Sequence, residues 1–267
     1  QCDEHTFDCW VEYTAPNGKV KAVRPKLVAW LDTRSRCILG DVICVDANSQ
    51  ILKESLVKML YSPIGGVPKH LHIDNGKDYT SKTNLGQDRK ERAMQFDAET
   101  KGFYRSIGIE EWSRSLPYQP WGKGQIERFF GTVCSRFTKW MASYTGTLTG
   151  SKTAGKRQKD IKEMLERGQL LTMEEFFDLW TKWKNEKYHN REHSGLKKAR
   201  EQYIKPAELF MKAPEKYVKA PPPREYAAML LMQSDTALVR NQGITKFNTL
   251  YTDYELSRYV GETVGIK

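Results

Sequence analysis

Residues 2–14 read Cys2-Asp3-Glu4-His5-Thr6-Phe7-Asp8-Cys9-Trp10-Val11-Glu12-Tyr13-Thr14, and their alternation decides the fold. The odd positions carry Asp3, His5, Phe7, Cys9, Val11 and Tyr13, a mainly apolar set, while the even ones are mainly polar. Period two with one apolar face is the pattern of a half-buried strand. Pro16-Asn17-Gly18-Lys19 then supplies turn chemistry. Working outward, KLVAWLD (26–32) predicts a second strand, Thr33-Arg34-Ser35-Arg36 a turn, and CILGDVICV (37–45) a third strand, an antiparallel meander. Residues 49–61 carry a helical stripe with Ser49 placed as N-cap, and KHLHI (69–73) predicts a short strand ending at Asp74. The polar stretch 76–101 reads as a surface loop, followed by a short helix near 102–107 and a strand at 109–112. From 124 to 144, Ile126, Phe129, Phe130, Val133, Phe137, Trp140 and Met141 share one wide apolar face, the mark of a long helix. Another helix is expected over 173–189, opened by a capping box at Thr172. The order predicts an α/β protein: a mixed sheet of three antiparallel strands and then parallel strands, flanked by helices.

The chain has 267 residues, room for one large domain or a large and a small one, and 39% hydrophobic residues, which excludes wholesale disorder. A formal net charge of +10 draws polyanions, with nucleic acid the leading partner class and an anionic membrane surface the alternative. No stretch approaches the roughly 20 apolar residues of a membrane span, and no signal-peptide pattern is present. A cytoplasmic, DNA-associated protein is therefore expected. The five cysteines (Cys2, Cys9, Cys37, Cys44 and Cys134) form no C-x-x-C pair and read as reduced, mostly buried thiols. Three consecutive prolines at 221–223 sit in a linker expected over 212–225, dividing a main domain (1–211, with a helical extension over 160–211) from a small β-barrel over 226–267. Within the Gly/Thr/Ser/Lys-rich segment 145–159, Lys152, Lys156 and Arg157 are candidate DNA contacts.

Acids stand at three telling places: Asp3 on the first strand, Asp74 at the end of the fourth, and Glu127 in the first turn of the long helix. Parity favours Asp3 over Asp8, which shares the polar face with Glu4 and Glu12. Three converging carboxylates repel one another unless cations join them, and Mg²⁺ or Mn²⁺ want such oxygen ligands. Two ions about 4 Å apart can activate an attacking oxygen and stabilise a leaving one. Lys123 and Arg128 would hold phosphate. Each acid also has a plainer reading: Asp74-Asn75-Gly76 is ordinary turn chemistry, and Glu127 with Arg128 could be a surface charge pair. His189 and His193 lie four apart but lack the H-E-x-x-H order of a zinc helix. Arg191 and His193 are instead expected at a helix C-terminus, touching DNA phosphate or the long helix. Trp10, Trp112 and Trp140 are expected in the core.

The ordered set Gln1-Cys2-Asp3, Leu31 to Gly40, His72-Ile73-Asp74-Asn75-Gly76, and Pro117 to Gly131 (PYQPWGKGQIERFFG) resembles the DDE transposase and retroviral integrase superfamily, and within it the phage Mu-type transposases. Asn190 to Leu196, Pro206 to Phe210 and the last forty residues extend the likeness over essentially the whole chain. The resemblance implies an RNase H-like fold, a triad of Asp3, Asp74 and Glu127 holding two Mg²⁺ or Mn²⁺ ions, and 3′-end nicking followed by strand transfer into target DNA. It also implies assembly on DNA as a homo-oligomer, a tetramer being one such form, and an ATPase partner for target selection. Because the chain opens almost at the first acid, the expectation is a core excised from a longer protein. Two other readings stand beside it: an RNase H-fold nuclease or resolvase that cuts without joining, and a non-catalytic DNA-binding assembly protein.

Overall fold

The computed structural model describes residues 1–73, 103–114, 120–145, 160–212, 219–231, 235–246 and 249–266. Its first strands are β1 (Cys2–Thr6), β2 (Val11–Thr14), β3 (Val20–Val23), β4 (Lys26–Leu31) and β5 (Ile38–Cys44). β1, β4 and β5 form an antiparallel three-stranded sheet in the order β1-β4-β5, with Asp3 opposite Ala29. The single strand expected over 2–14 is in fact two. Between them Arg24 donates to the Phe7 carbonyl at 3.0 Å and to Asp8 at 2.7 Å, while the Trp10 N–H turns to Ser143. With those groups engaged elsewhere, the ladder stops at Thr6 and β2 makes its own hairpin with β3. At the β4–β5 turn, Asp32 accepts from the Ser35 N–H at 2.7 Å and its hydroxyl at 2.6 Å, and Arg36 takes a left-handed φ of 66°.

Helix α1 (Ser49–Leu60) is capped by Asn48, one residue earlier than expected, because the Asn48 amide oxygen accepts from the Gln50 and Ile51 N–H groups. It lies so close to β5 that a Cβ on Gly40 would stand 2.4 Å from the Met59 Cβ. Next come β6 (His70–Ile73), α2 (Phe103–Ser106) and β7 (Glu111–Arg114). β6 and β7 pair in parallel, and β6 lies beside β1. β7 starts two residues later than expected, since Gly108 (φ 91°) still turns the chain there and the Ile109 N–H bonds back to Tyr104.

Helix α3 (Gly124–Arg136) buries Ile126, Phe129, Phe130 and Val133. It ends eight residues short of the expected 144. The hydroxyls of Thr132, Ser135 and Thr138 each bond a carbonyl four residues back, which competes with regular helix, and a 3₁₀ turn follows at Thr138–Trp140. Trp140, expected in the core, is consequently 81% exposed. Helix α4 (Met173–Lys182) carries the capping box between Thr172 and Glu175 and runs into a π-helical turn, Trp183–Tyr188. Its aromatic rings complete the core: Phe7 meets Phe176 at 4.9 Å and Trp180 at 5.4 Å, both edge to face, each such pair adding about 0.5–1.5 kcal/mol beyond area burial. The Trp180 indole donates to the buried Asp41 of β5 at 2.6 Å, and the Lys184 ammonium pairs with the same carboxylate. Short helices α5 (Ser194–Lys198) and α6 (Pro206–Lys212) follow.

The chain divides into two compact units, Gln1–Pro221 and Pro222–Lys267. The second begins with α7 (Arg224–Leu231), so the span expected as β-barrel opens with a helix. Strands β8 (Asp235–Leu238), β9 (Ile244–Lys246), β10 (Thr249–Tyr251) and β11 (Thr263–Ile266) form two antiparallel ladders, β8 with β11 and β9 with β10. Among the described residues these ladders do not close into a barrel. Their core is Ala237, Val239 and Ile244, with Leu256 and Val264 against it. The mixed α/β class expected from sequence is the class observed. All five cysteines are free, with Cys2, Cys9 and Cys37 fully buried. Among the described residues, no helix is long and apolar enough to cross a membrane.

Candidate active site

The odd face of β1 lies along α3. Asp3 is 3.3 Å from the Lys123 ammonium; the His5 ring stacks on Phe130 at 4.8 Å with Nε2 3.4 Å from the Cys134 sulfur; Phe7 meets Phe137 at 6.1 Å. Asp3, His5 and Phe7 thus meet positions in order from Lys123 to Phe137, and Asp3 falls at the helix's N-terminal end. The Gln1 side chain ties the same corner by donating to the Gly122 carbonyl at 2.6 Å. Glu127 stands in the first turn of α3, exposed although the preceding Ile126 is fully buried. Arg128 folds back over the helix start, where a Cβ on Gly124 would come within 3.3 Å of its guanidinium. Asp8, the rival first acid, is bound to Arg24 at 2.7 Å in a half-buried ion pair.

Asp74 and the linker cations Lys152, Lys156 and Arg157 lie outside the described residues. Among the described residues, no three acidic, His or Cys side chains converge as a metal cluster. The donor chemistry at the corner nevertheless suits Mg²⁺ or Mn²⁺: Asp3 and Glu127 offer hard carboxylate oxygens, and the ammonium drawn to Asp3 marks a place that accepts positive charge. A thiolate does not compete for either role. Burial pushes the Cys9, Cys37 and Cys134 thiols up to about 12, so they stay protonated. Sequence patterns missed a further device: the Ser113 hydroxyl sits 2.9 Å from His70 and 2.8 Å from His72, joining β6 to β7 beside Gly122.

The second half of α3 borders a groove of about 700 Å³, lined by Thr132 and Arg136 of the helix, Lys187 of the π turn, and Arg191 and His193. His189 and His193, expected together at a helix end, have separate tasks. His189 is buried, its Nε2 accepting the Ile38 N–H at 3.1 Å, whereas His193 caps α5 by accepting from Gly195 at 3.2 Å. Arg36 at the β4–β5 turn belongs to this region as well. Burial and then the like charge of Arg128 lower its pKa, and burial, Arg36 and Arg128 in that order lower that of His193. Arg36 and Arg136 were overlooked in the sequence, although Arg128, Thr132 and Arg136 repeat every four residues along one helix face.

Residues 1–143 match the family profile of the TnsB C-terminal domain. The chain belongs to this family. Its end, residues 228–267, matches the C-terminal domain of Mu transposase, and the TnsB-family chain is a member of the Mu-type transposase and integrase superfamily. It is 31% identical to the Mu-like prophage FluMu transposase A of Haemophilus influenzae over 132 residues, 48% of this chain and 18% of that protein. It is 24% identical to the transposase for transposon Tn552 of Staphylococcus aureus over 251 residues, 91% of this chain and 44% of that protein. The chain therefore spans less than half the length of either relative. Among solved structures it resembles a chain of the simian T-cell lymphotropic virus intasome in complex with the PP2A regulatory subunit B56 gamma, at a TM-score of 0.41 and 14% identity over 94% of this chain and 64% of that one.

Proposed function

We propose that this chain is the core of a DNA transposase, a polynucleotidyl transferase of RNase H-like design that nicks transposon 3′ ends and joins them to target DNA. One observation supports the reading: Asp3 lies 3.3 Å from Lys123, the residue just before α3, whose first turn carries Glu127 with Arg128 next to it, within the segment that matches the TnsB family. Asp3 and Glu127, with Asp74 following the last residue of β6, would hold two Mg²⁺ or Mn²⁺ ions. Bound there, the ions would polarise the scissile phosphate and lower the pKa of the attacking hydroxyl. Lys123 and Arg128 flank the acids and hold phosphate oxygens by charge-assisted bonds. The aromatic contacts behind His5 and Phe7 keep Asp3 in register with the helix, so the acids need not be ordered at the moment of reaction. Transposon ends and target DNA are the substrates, and assembly on DNA as a homo-oligomer, a tetramer by the resemblance, with an ATPase target-selection partner completes the proposal. The setting is the cytoplasm of a bacterium.

Glu127→Gln keeps the size and position of the side chain while removing a charge that a metal needs. The variant should bind end-containing DNA as the unsubstituted protein does, yet give no nicked and no joined product with Mg²⁺ or Mn²⁺ on a gel assay. Wild-type product levels from it would end the assignment.

A further inference from the structure

We infer that the groove beside α3 is a track for the phosphate backbone of duplex DNA, carrying the strand that leads to or from the acid corner. This rests on the transposase reading and extends it to a surface that the acids do not occupy. Two stretches far apart in sequence line it: α3 supplies Arg136, and the π turn with the residues after it supplies Lys187 and Arg191, while Arg36 of the β4–β5 turn and Arg128 lie near enough to the lining His193 to act on its charge. Arg128 follows Glu127 outside the groove's lining, and Arg136 lies eight residues on, about 12 Å along the helix. One strand of B-DNA passes three to four phosphates in that distance, at about 3.4 Å each.

Among the described residues, no acid forms an ion pair with Arg136, Lys187 or Arg191. Half-buried Arg36 and exposed Arg128 act on each other as like charges, an arrangement that an anion stabilises. Two acids, Glu186 and Glu192, also line the groove, but Glu192 is paired with Lys197, leaving the cations in surplus. The π turn widens the helix where Lys187 projects into the groove, and such turns recur at functional positions. Arginine and lysine meeting phosphates fix register without reading bases, so the contact is independent of sequence.

The test is a titration of the intact chain with a 30-base-pair duplex of arbitrary sequence, followed by fluorescence anisotropy in EDTA over a range of salt. Arg136 and Arg191 are both exposed, so Arg136→Ala/Arg191→Ala should fold normally, as a thermal melt will report. Losing two phosphate contacts lowers the slope of log K against log salt by about 1.8 and weakens binding roughly 60-fold at 0.1 M salt. Arg136→Glu should weaken binding further than Arg136→Ala. A control lacking two cations elsewhere, Lys21→Ala/Lys58→Ala, should keep the parental slope. An unchanged slope in the Arg136/Arg191 variant, with binding by the parent intact, overturns the track and leaves the transposase reading standing. Equal losses in the control and the groove variant overturn it too, since net charge alone would then act. A parent chain that binds no duplex overturns both.

Discussion

His189 shows how one side chain can look like a ligand in sequence and be structural in the fold. It is 4% exposed, and burial, reinforced by the charge of Lys184, pushes its pKa down to about 4, against 6.5 for a free ring. Above 6.5 the ring is neutral in folded and unfolded chains alike. As pH falls from 6.5 toward 4, the unfolded chain takes up a proton that the fold refuses, so stability drops through that window and levels off below it. The loss is on the order of 3 kcal/mol. His189→Gln can still accept the Ile38 N–H but does not titrate. Its melting temperature should therefore fall less between pH 6.5 and 4 than that of the parent, with the residual slope coming from His5 and His193, whose pKa values are lowered in the same direction. Parallel melting curves for the two proteins would show that the ring is not held neutral against β5. The spacing to His193 was visible in sequence, but the deciding partner lies 151 residues away, where no local pattern reaches.

Among the elements, the contact of α1 with β5 depends on the absence of a side chain at Gly40. A methyl group there would meet Met59 at 2.4 Å and its backbone at 2.7 Å, and neither can swing aside as a flexible side-chain tip would. Gly40→Ala should cost about 1–3 kcal/mol, as overpacked cores do, and lower the melting temperature by several degrees. An unshifted melt would mean that α1 can slide along the sheet. Element types were largely legible because period two and period 3.6 reflect which faces are buried. The failures share a cause: side-chain hydrogen bonds that periodicity does not register. Arg24 and Ser143 break the first strand, three hydroxyls shorten α3, and Asn48 moves the cap of α1. Lys123 could be placed beside Asp3 only once the helix and strand were seen together.

At the scale of the whole molecule, the two units are unequal in their resources. Gln1–Pro221 contains a continuous aromatic core, whereas among the described residues of Pro222–Lys267 the ladders centre on Ala237, Val239 and Ile244. Segments of roughly 40 residues seldom bury enough apolar surface to fold unaided. Expressed alone, residues 222–267 should show no cooperative thermal transition by circular dichroism; a sharp one would mean that the ladders hold themselves together. The basic charge and the acids were readable from the sequence, while the groove, assembled from two distant stretches, was not. Helix α3 has a double duty: its inner residues interlock with the rings behind β1, and its outer ones line the groove. It therefore works as a fixed-length gauge between Glu127 and Arg136. Inserting or deleting a single residue between them would rotate everything beyond by about 100°, turning Arg136 away from the groove and Phe137 away from Phe7. Such a helix can change its composition far more freely than its length.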